Sequence, residues 1–229
     1  MGGKKGIIFI CGMILGSVSL GECAPCYGLN LPYKNKFFLG TQYHQVIERK
    51  LEKNLGELKS KQGFLLLSYG IFDWFSLDLK AGLGDINKKP ENGRTADYEA
   101  SFAGGYGFRI RFFEKENKAL VFGFQHISVH PESIHINSDK HSAILDDWQV
   151  SLLGGLKLKR ISPYLGMRWS RQDYIHKRNK ERKRIMSDLT KSLGIIFGFD
   201  FFLKEKFWLN FEGNFLDGKE TAVSLNFSF

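Results

Sequence analysis

Beyond residue 36, apolar and polar residues alternate with a period of two along most of the chain. The last two runs show it plainly. In 207–216, Phe207, Leu209, Phe211 and Phe215 alternate with Trp208, Asn210, Glu212 and Asn214. In 220–229, Val223, Leu225, Phe227 and Phe229 alternate with Ala222, Ser224, Asn226 and Ser228. Successive side chains of a strand point to opposite faces, so this pattern predicts sheet with one apolar and one polar face. The same reading predicts ten strands, at 36–47, 61–71, 74–84, 97–112, 118–130, 143–158, 163–175, 185–202, 207–216 and 220–229.

The spacing of these strands is itself informative. Polar connections at 48–60, 85–96, 131–142 and 176–184 are long, and those at 72–73, 113–117, 159–162 and 203–206 are short. Only 217–219 is short on the long side. Long loops on one rim and tight turns on the other are the arrangement of outer-membrane barrels. An even strand number puts both chain ends on the short-turn, periplasmic rim. Parity then assigns the faces. Leu39, Tyr43, Leu65, Leu67, Tyr69, Leu77, Leu79, Phe102, Tyr106, Ile195 and Phe197 face outward. Gln42, His44, Asp78, Lys80, Glu99, Arg109, Arg111, Asp147, Arg168, Asp188, Asp200 and Glu212 face inward. A soluble ligand-binding barrel needs the reverse. The expected fold is therefore all-β, an antiparallel transmembrane β-barrel of about ten strands, integral to the bacterial outer membrane. Mixed inward charges can pair across the axis, so a plugged lumen is expected.

Composition changes the picture in two places. With 33 Lys+Arg against 24 Asp+Glu the net charge is +9, a balance that suits nucleic acid or an anionic membrane surface. The basic residues bunch in loops, which favours the membrane and argues against nucleic acid. No run of about 18 apolar residues exists to form a spanning helix. The start of the chain reads as an export signal: Lys4 and Lys5, the short apolar core 6–15, then small residues at Ser19 and Gly21. This divides the chain into a cleaved signal peptide at 1–21, a periplasmic leader at 22–35 and the barrel at 36–229. Cys23 and Cys26 of the leader suit a small disulfide or a flexible segment in an exported chain. No His follows Cys26, so haem attachment is not expected, and no cofactor or metal is implied.

The final strand ends on Phe229 and resembles the C-terminal sorting strand of bacterial outer-membrane β-barrel proteins. That resemblance implies recognition by the barrel assembly machinery.

Candidate chemistry lies in strands five and six. If Leu120, Phe122 and Phe124 face lipid, His126 and Ser128 do as well. On the next strand Ile144, Trp148 and Val150 face outward, and Asp146 with them. In a hairpin of even register Asp146 lies opposite Ser128 or His126, with Cβ atoms about 4.5–5.5 Å apart. Polar groups on a lipid face are costly and mark function. A serine, an imidazole and a carboxylate are the parts of an acyl-transfer site: nucleophile, base and orienter. The patch resembles the outer-membrane lipid A 3-O-deacylase family, whose His-x-Ser-Asn motif and a Glu on the next strand form a lipid-facing triad. His126 and Ser128 match that motif, Val129 stands where the family has Asn, and Asp146 would replace the Glu. The resemblance implies an ester hydrolase acting on lipopolysaccharide; apart from it, the chain reads as a structural or surface-binding barrel with a plugged polar lumen. Arg171, Lys191 and the basic loop 176–184 would meet lipid phosphates at the same depth. A bulge at Phe124 would instead reverse the parity and turn His126 and Ser128 into the lumen. Two other arrangements stay open: His130, His135 and His141 as metal ligands in one loop, and Glu99, Asp147, Asp188 and His44 as a protease-like set inside the lumen.

Overall fold

The computed structural model describes residues 28–90, 95–136, 138–179 and 181–229. The expected signal peptide and the Cys23/Cys26 pair lie outside the described residues.

Twelve strands form: β1 (Phe37–Lys50), β2 (Glu57–Phe72), β3 (Phe75–Lys89), β4 (Ala96–Lys115), β5 (Lys118–Val129), β6 (Ile134–Ile136), β7 (Asp139–Leu156), β8 (Ile161–Arg178), β9 (Glu181–Met186), β10 (Leu193–Lys204), β11 (Phe207–Phe215) and β12 (Lys219–Ser228). Ten of them make the wall, in the order β7-β5-β4-β3-β2-β1-β12-β11-β10-β8, and β8 pairs back with β7 to close it. Every pairing is antiparallel. Closure leaves no free edge, which a bilayer demands of any sheet that crosses it. The short strands β6 and β9 extend the rim beside β7 and β8.

Alternation holds around the wall. Leu39, Tyr43, Leu65, Leu67, Leu77, Leu79, Leu83, Phe102, Leu165, Met167, Leu193 and Phe227 are exposed, while Gln42, His44, Lys80, Arg109, Gln149, Arg168, Asp200 and Asn210 are buried. At the short-turn rim aromatic rings crowd together. Phe37 stacks on Phe229 at 4.5 Å and Phe72 on Trp74 at 5.3 Å. Such a girdle suits the membrane interface, where amphipathic rings sit at headgroup level.

The strands climb further than periodicity predicts. Residues 48–50, 57–60, 85–89, 139–142 and 176–178, expected as loop, continue the ladder. A spanning strand needs only about 9–11 residues, so the long hairpins stand above the apolar band. From the band upward, one side of the interior is apolar: Leu58, Phe64, Leu66, Ile86, Tyr98, Ile127, Val129, Leu145 and Tyr174 form one cluster. Two expectations fail here. The ladder between β3 and β4 shifts register between Gly84 and Ile86, where it skips Glu99. That bulge turns Tyr98 inward and leaves Glu99 exposed, not in the lumen. The expected eighth strand also divides. β9 ends at Met186, Leu189–Lys191 form a 3-10 turn capped by Asp188, and β10 starts at Leu193. Asp188 therefore caps a turn and does not line the lumen, because its carboxylate accepts from the Thr190 amide.

This excursion is tied to the top of β1. Ser187 bridges to Leu51, the Asp188 amide donates to the Lys50 carbonyl, and the Met186 amide donates to Glu52. Beneath it the short β11–β12 turn folds inward. Asp217 accepts from Ser170 and pairs with Arg49 at 3.0 Å and Arg168 at 2.7 Å. Arg168 also pairs with Glu220 at 3.0 Å, and His44 lies 3.6 Å from Glu220. All these side chains are buried, so the charges compensate one another in a space that holds little water.

Toward the other end, residues 29–31 pack against the inner face of the wall. Leu29 and Leu31 are buried in a cluster with Val121, Leu153, Tyr164 and Ile196. Asn30 donates to Asp200, and Arg109 donates to the Asn30 carbonyl at 2.6 Å. Gly70 faces this segment without a side chain because a Cβ there would fall 2.1 Å from the Tyr33 carbonyl oxygen.

Candidate functional site

The ladder between β5 and β7 runs unbroken from Lys118↔Leu156 to Val129↔Leu145. Nothing interrupts it at Phe124, so parity carries through. Gln125, Ile127 and Val129 are buried, while Phe124, His126 and Ser128 take the outer face. On β7, Leu145 and Asp147 are buried and Asp146 and Trp148 lie outside. Ser128 stands directly opposite Asp146, and His126 opposite Trp148.

The side chains meet accordingly. Ser128 Oγ donates to Asp146 Oδ1 at 2.5 Å. His126 Nε2 lies 3.8 Å from the same oxygen, with the two side chains 15% and 24% exposed. The His126 ring packs against Trp148 at 4.0 Å between centroids, with Tyr106 at 5.3 Å on its other side. Its Nε2 makes no hydrogen bond among the described residues. A fourth group joins them, the last residue of the expected strand 118–130. His130 follows β5 directly, and its amide donates to the Phe102 carbonyl, which prolongs the ladder by one step. Its parity is that of Ser128, and its Nε2 lies 2.8 Å from Ser128 Oγ. The i, i+2, i+4 spacing of His126, Ser128 and His130 within the expected strand 118–130 already places the three on one face, and the role given to His130 there was that of a metal ligand.

β8 continues the patch. Asp173 stands opposite Asp146 and Arg171 opposite Trp148. Arg171 pairs with Asp173 at 3.0 Å, and Arg184 of β9 pairs with the second oxygen of Asp173. Asp173 is thus held from both sides, which leaves Asp146 as the carboxylate nearest Ser128. Lys191, expected on a lipid-facing strand, lies in the 3-10 turn after β9. The expected histidine trio separates. His130 sits on Ser128, His141 Nδ1 lies 2.9 Å from His176 Nε2, and His135 is exposed on β6. Among the described residues no group of three ligands could hold a metal ion. Of the four residues named for a lumenal protease set, His44 and Asp147 are buried inside, while Glu99 and Asp188 are not.

No family model matches the chain, and no curated protein matches it. Solved structures are similar in overall shape. One is an outer membrane channel from Pseudomonas putida F1, with a TM-score of 0.46 and 10% identity, covering 91% of this chain and 100% of that one. Another is the translocator domain of the autotransporter NalP from Neisseria meningitidis, with a TM-score of 0.46 and 9% identity over 97% of this chain and 95% of that one. A third is the outer membrane protease OmpT from Escherichia coli, with a TM-score of 0.44 and 8% identity over 90% and 100%. The closed even-stranded wall, its apolar belt and its aromatic rim are those of the outer-membrane class. The chain is an integral outer-membrane β-barrel.

Proposed function

We propose that this barrel is a serine ester hydrolase that works on its lipid-facing side against an ester of outer-leaflet lipid, in the manner its resemblance to lipid A deacylases implies. One observation carries the reading: Ser128 Oγ lies 2.8 Å from an imidazole nitrogen and 2.5 Å from a carboxylate oxygen, on a face that otherwise meets acyl chains. A bare hydroxyl is a weak nucleophile and needs an adjacent base. A lipid ester diffusing in the leaflet reaches this patch without leaving the membrane. In this reading Ser128 attacks, a histidine of the patch takes the proton, and Asp146 stabilises the developing positive charge, with His126 beside it. Arg171 and Lys191 would meet the phosphates of lipopolysaccharide, although for Arg171 a phosphate competes with Asp173. The lumen takes no part in the reaction, and its filling supports a closed, plugged barrel. Phe229, stacked against Phe37 and edge-on to Phe227 at 4.8 Å, would be the contact for the barrel assembly machinery.

The test is mass spectrometry of lipid A from Gram-negative cells expressing the chain. Loss of an ester-linked acyl chain is expected, and Ser128→Ala should abolish it while the barrel still folds. Asp146→Asn should be milder, because an orienting group is partly replaceable. If the unsubstituted protein leaves every acyl chain in place, the enzymatic reading fails. The filled lumen then favours a structural or surface-binding barrel.

A further inference from the structure

We propose that His130, and not His126, is the general base for Ser128; the assignment rests on the ester hydrolase reading above. Two imidazoles flank the serine on one face of β5, one step toward the outer rim and one step toward the membrane centre. They are not equivalent. His130 Nε2 is within hydrogen-bond reach of Ser128 Oγ at 2.8 Å. His126 makes no hydrogen bond to Ser128; its ring is held between Trp148 and Tyr106, and its Nε2 is turned to Asp146 at 3.8 Å. The single hydroxyl proton points to Asp146 Oδ1 at rest, and rotation about the Cβ–Oγ bond brings it onto the 2.8 Å line to His130 Nε2, a reach His126 lacks, so geometry selects His130.

Solvent access points the same way. The second half of an ester hydrolysis, attack of water on the acyl-serine, needs a base that can meet water. His130 is exposed at the edge where β5 leaves the band, whereas the Nε2 of His126 is buried. The steps balance with water as the only co-substrate. Ser128 Oγ bonds to the ester carbonyl carbon as its proton passes to His130 Nε2. The carbon–oxygen bond to the lipid alcohol then breaks, and that proton leaves with the alkoxide. Water, deprotonated by His130, attacks the acyl-serine, and the proton returns to Oγ as the fatty acid departs. His126 is a positioning residue in this scheme. Its Nε2 lies 3.8 Å from the Asp146 oxygen that Ser128 contacts, so its ring limits where that carboxylate can move.

The experiment uses the full barrel, purified and folded in phospholipid vesicles, with a fluorescent fluorophosphonate as the probe. Labelling forms an Oγ–P bond and expels fluoride, so it reports serine activation without needing the natural lipid. Heat-modifiable migration of each variant on gels reports that the wall has folded. Unsubstituted protein should label and Ser128→Ala should not. His130→Ala should lose about 10²- to 10⁴-fold in labelling rate, the usual contribution of a positioned base, and added imidazole should restore part of it. His126→Ala should lose less than about tenfold and show no imidazole rescue. If the unsubstituted protein labels, His130→Ala labels equally well and His126→Ala does not, the assignment is overturned while the hydrolase reading stands. If the unsubstituted protein neither labels nor alters lipid A, both fall.

Discussion

Replacing Arg168 with Met tests the buried charge network more sharply than any other single change. The guanidinium has no exposure and reaches three partners: Asp217 at 2.7 Å, Glu220 at 3.0 Å and Gln149 at 3.0 Å. The partners are not stranded equally when it goes. Asp217 keeps Arg49 at 3.0 Å and the Ser170 hydroxyl at 2.7 Å. Among the described residues Glu220 keeps His44 at 3.6 Å and Gln172 at 3.4 Å, both too long to compensate a full charge. Met fills a similar volume, so the loss is electrostatic and not a cavity. Breaking one side of a buried pair costs about 3–5 kcal/mol, and this variant should fall in that range. Adding Glu220→Gln removes the stranded charge, so the double variant should be more stable than Arg168→Met by about 1–3 kcal/mol. Urea unfolding in phospholipid vesicles, followed by tryptophan fluorescence, reads both values, since Trp208 is buried near the periplasmic mouth. An Arg168→Met loss below about 1 kcal/mol, or a double variant no better than the single, would refute the claim that this arginine neutralises Glu220.

Three further outcomes are expected. In planar bilayers the purified barrel should show little steady conductance, because Leu29, Leu31 and the Arg109–Asn30–Asp200 contacts occupy the lumen; large stable openings would contradict this. Gly70→Ala puts a Cβ 2.1 Å from the Tyr33 carbonyl oxygen, so it should cost about 1–3 kcal/mol and raise the frequency of brief openings as the leader is displaced. Phe229→Ala removes two ring contacts at the rim and should lower the folded yield in the outer membrane; an unchanged yield on heat-modifiable gels would count against any role in recognition.

Most of the wall was legible because lipid and lumen demand opposite chemistry. Leu65, Leu67 and Tyr69 could face only lipid, and Asp78 and Arg109 only the interior, so parity was fixed wherever both kinds occurred in one strand. It failed where that contrast is missing. Above the band Tyr98 and Glu99 exchange faces at a bulge, and one extra residue leaves no mark on composition. Asp188 and Thr190 alternate as strand residues do, but their short polar side chains favour a capped turn, and a turn is what forms. The apolar upper interior was hidden for another reason: Ile127 and Val129 alternate with the polar Ser128 and His130, so inward and outward chemistry are reversed there. His130 ends the expected strand 118–130 on the parity of Ser128, but the His-x-Ser resemblance pointed to His126 and His130 was weighed only as a metal ligand; one more ladder bond stands it beside Ser128.

The leader inside the lumen constrains the order in which this protein can be made. β1 pairs with β12, a contact that joins residues 38–48 to 219–228 and spans nearly the whole chain. Contacts of such sequence separation form late, because the loop they close is the longest available. The segment carrying Leu29, Asn30 and Leu31 leads directly into β1, so it reaches the interior on the strand that completes the wall. If that segment fills the lumen as proposed, filling and sealing belong to one event, and a half-closed wall would still hold an open, wettable axis.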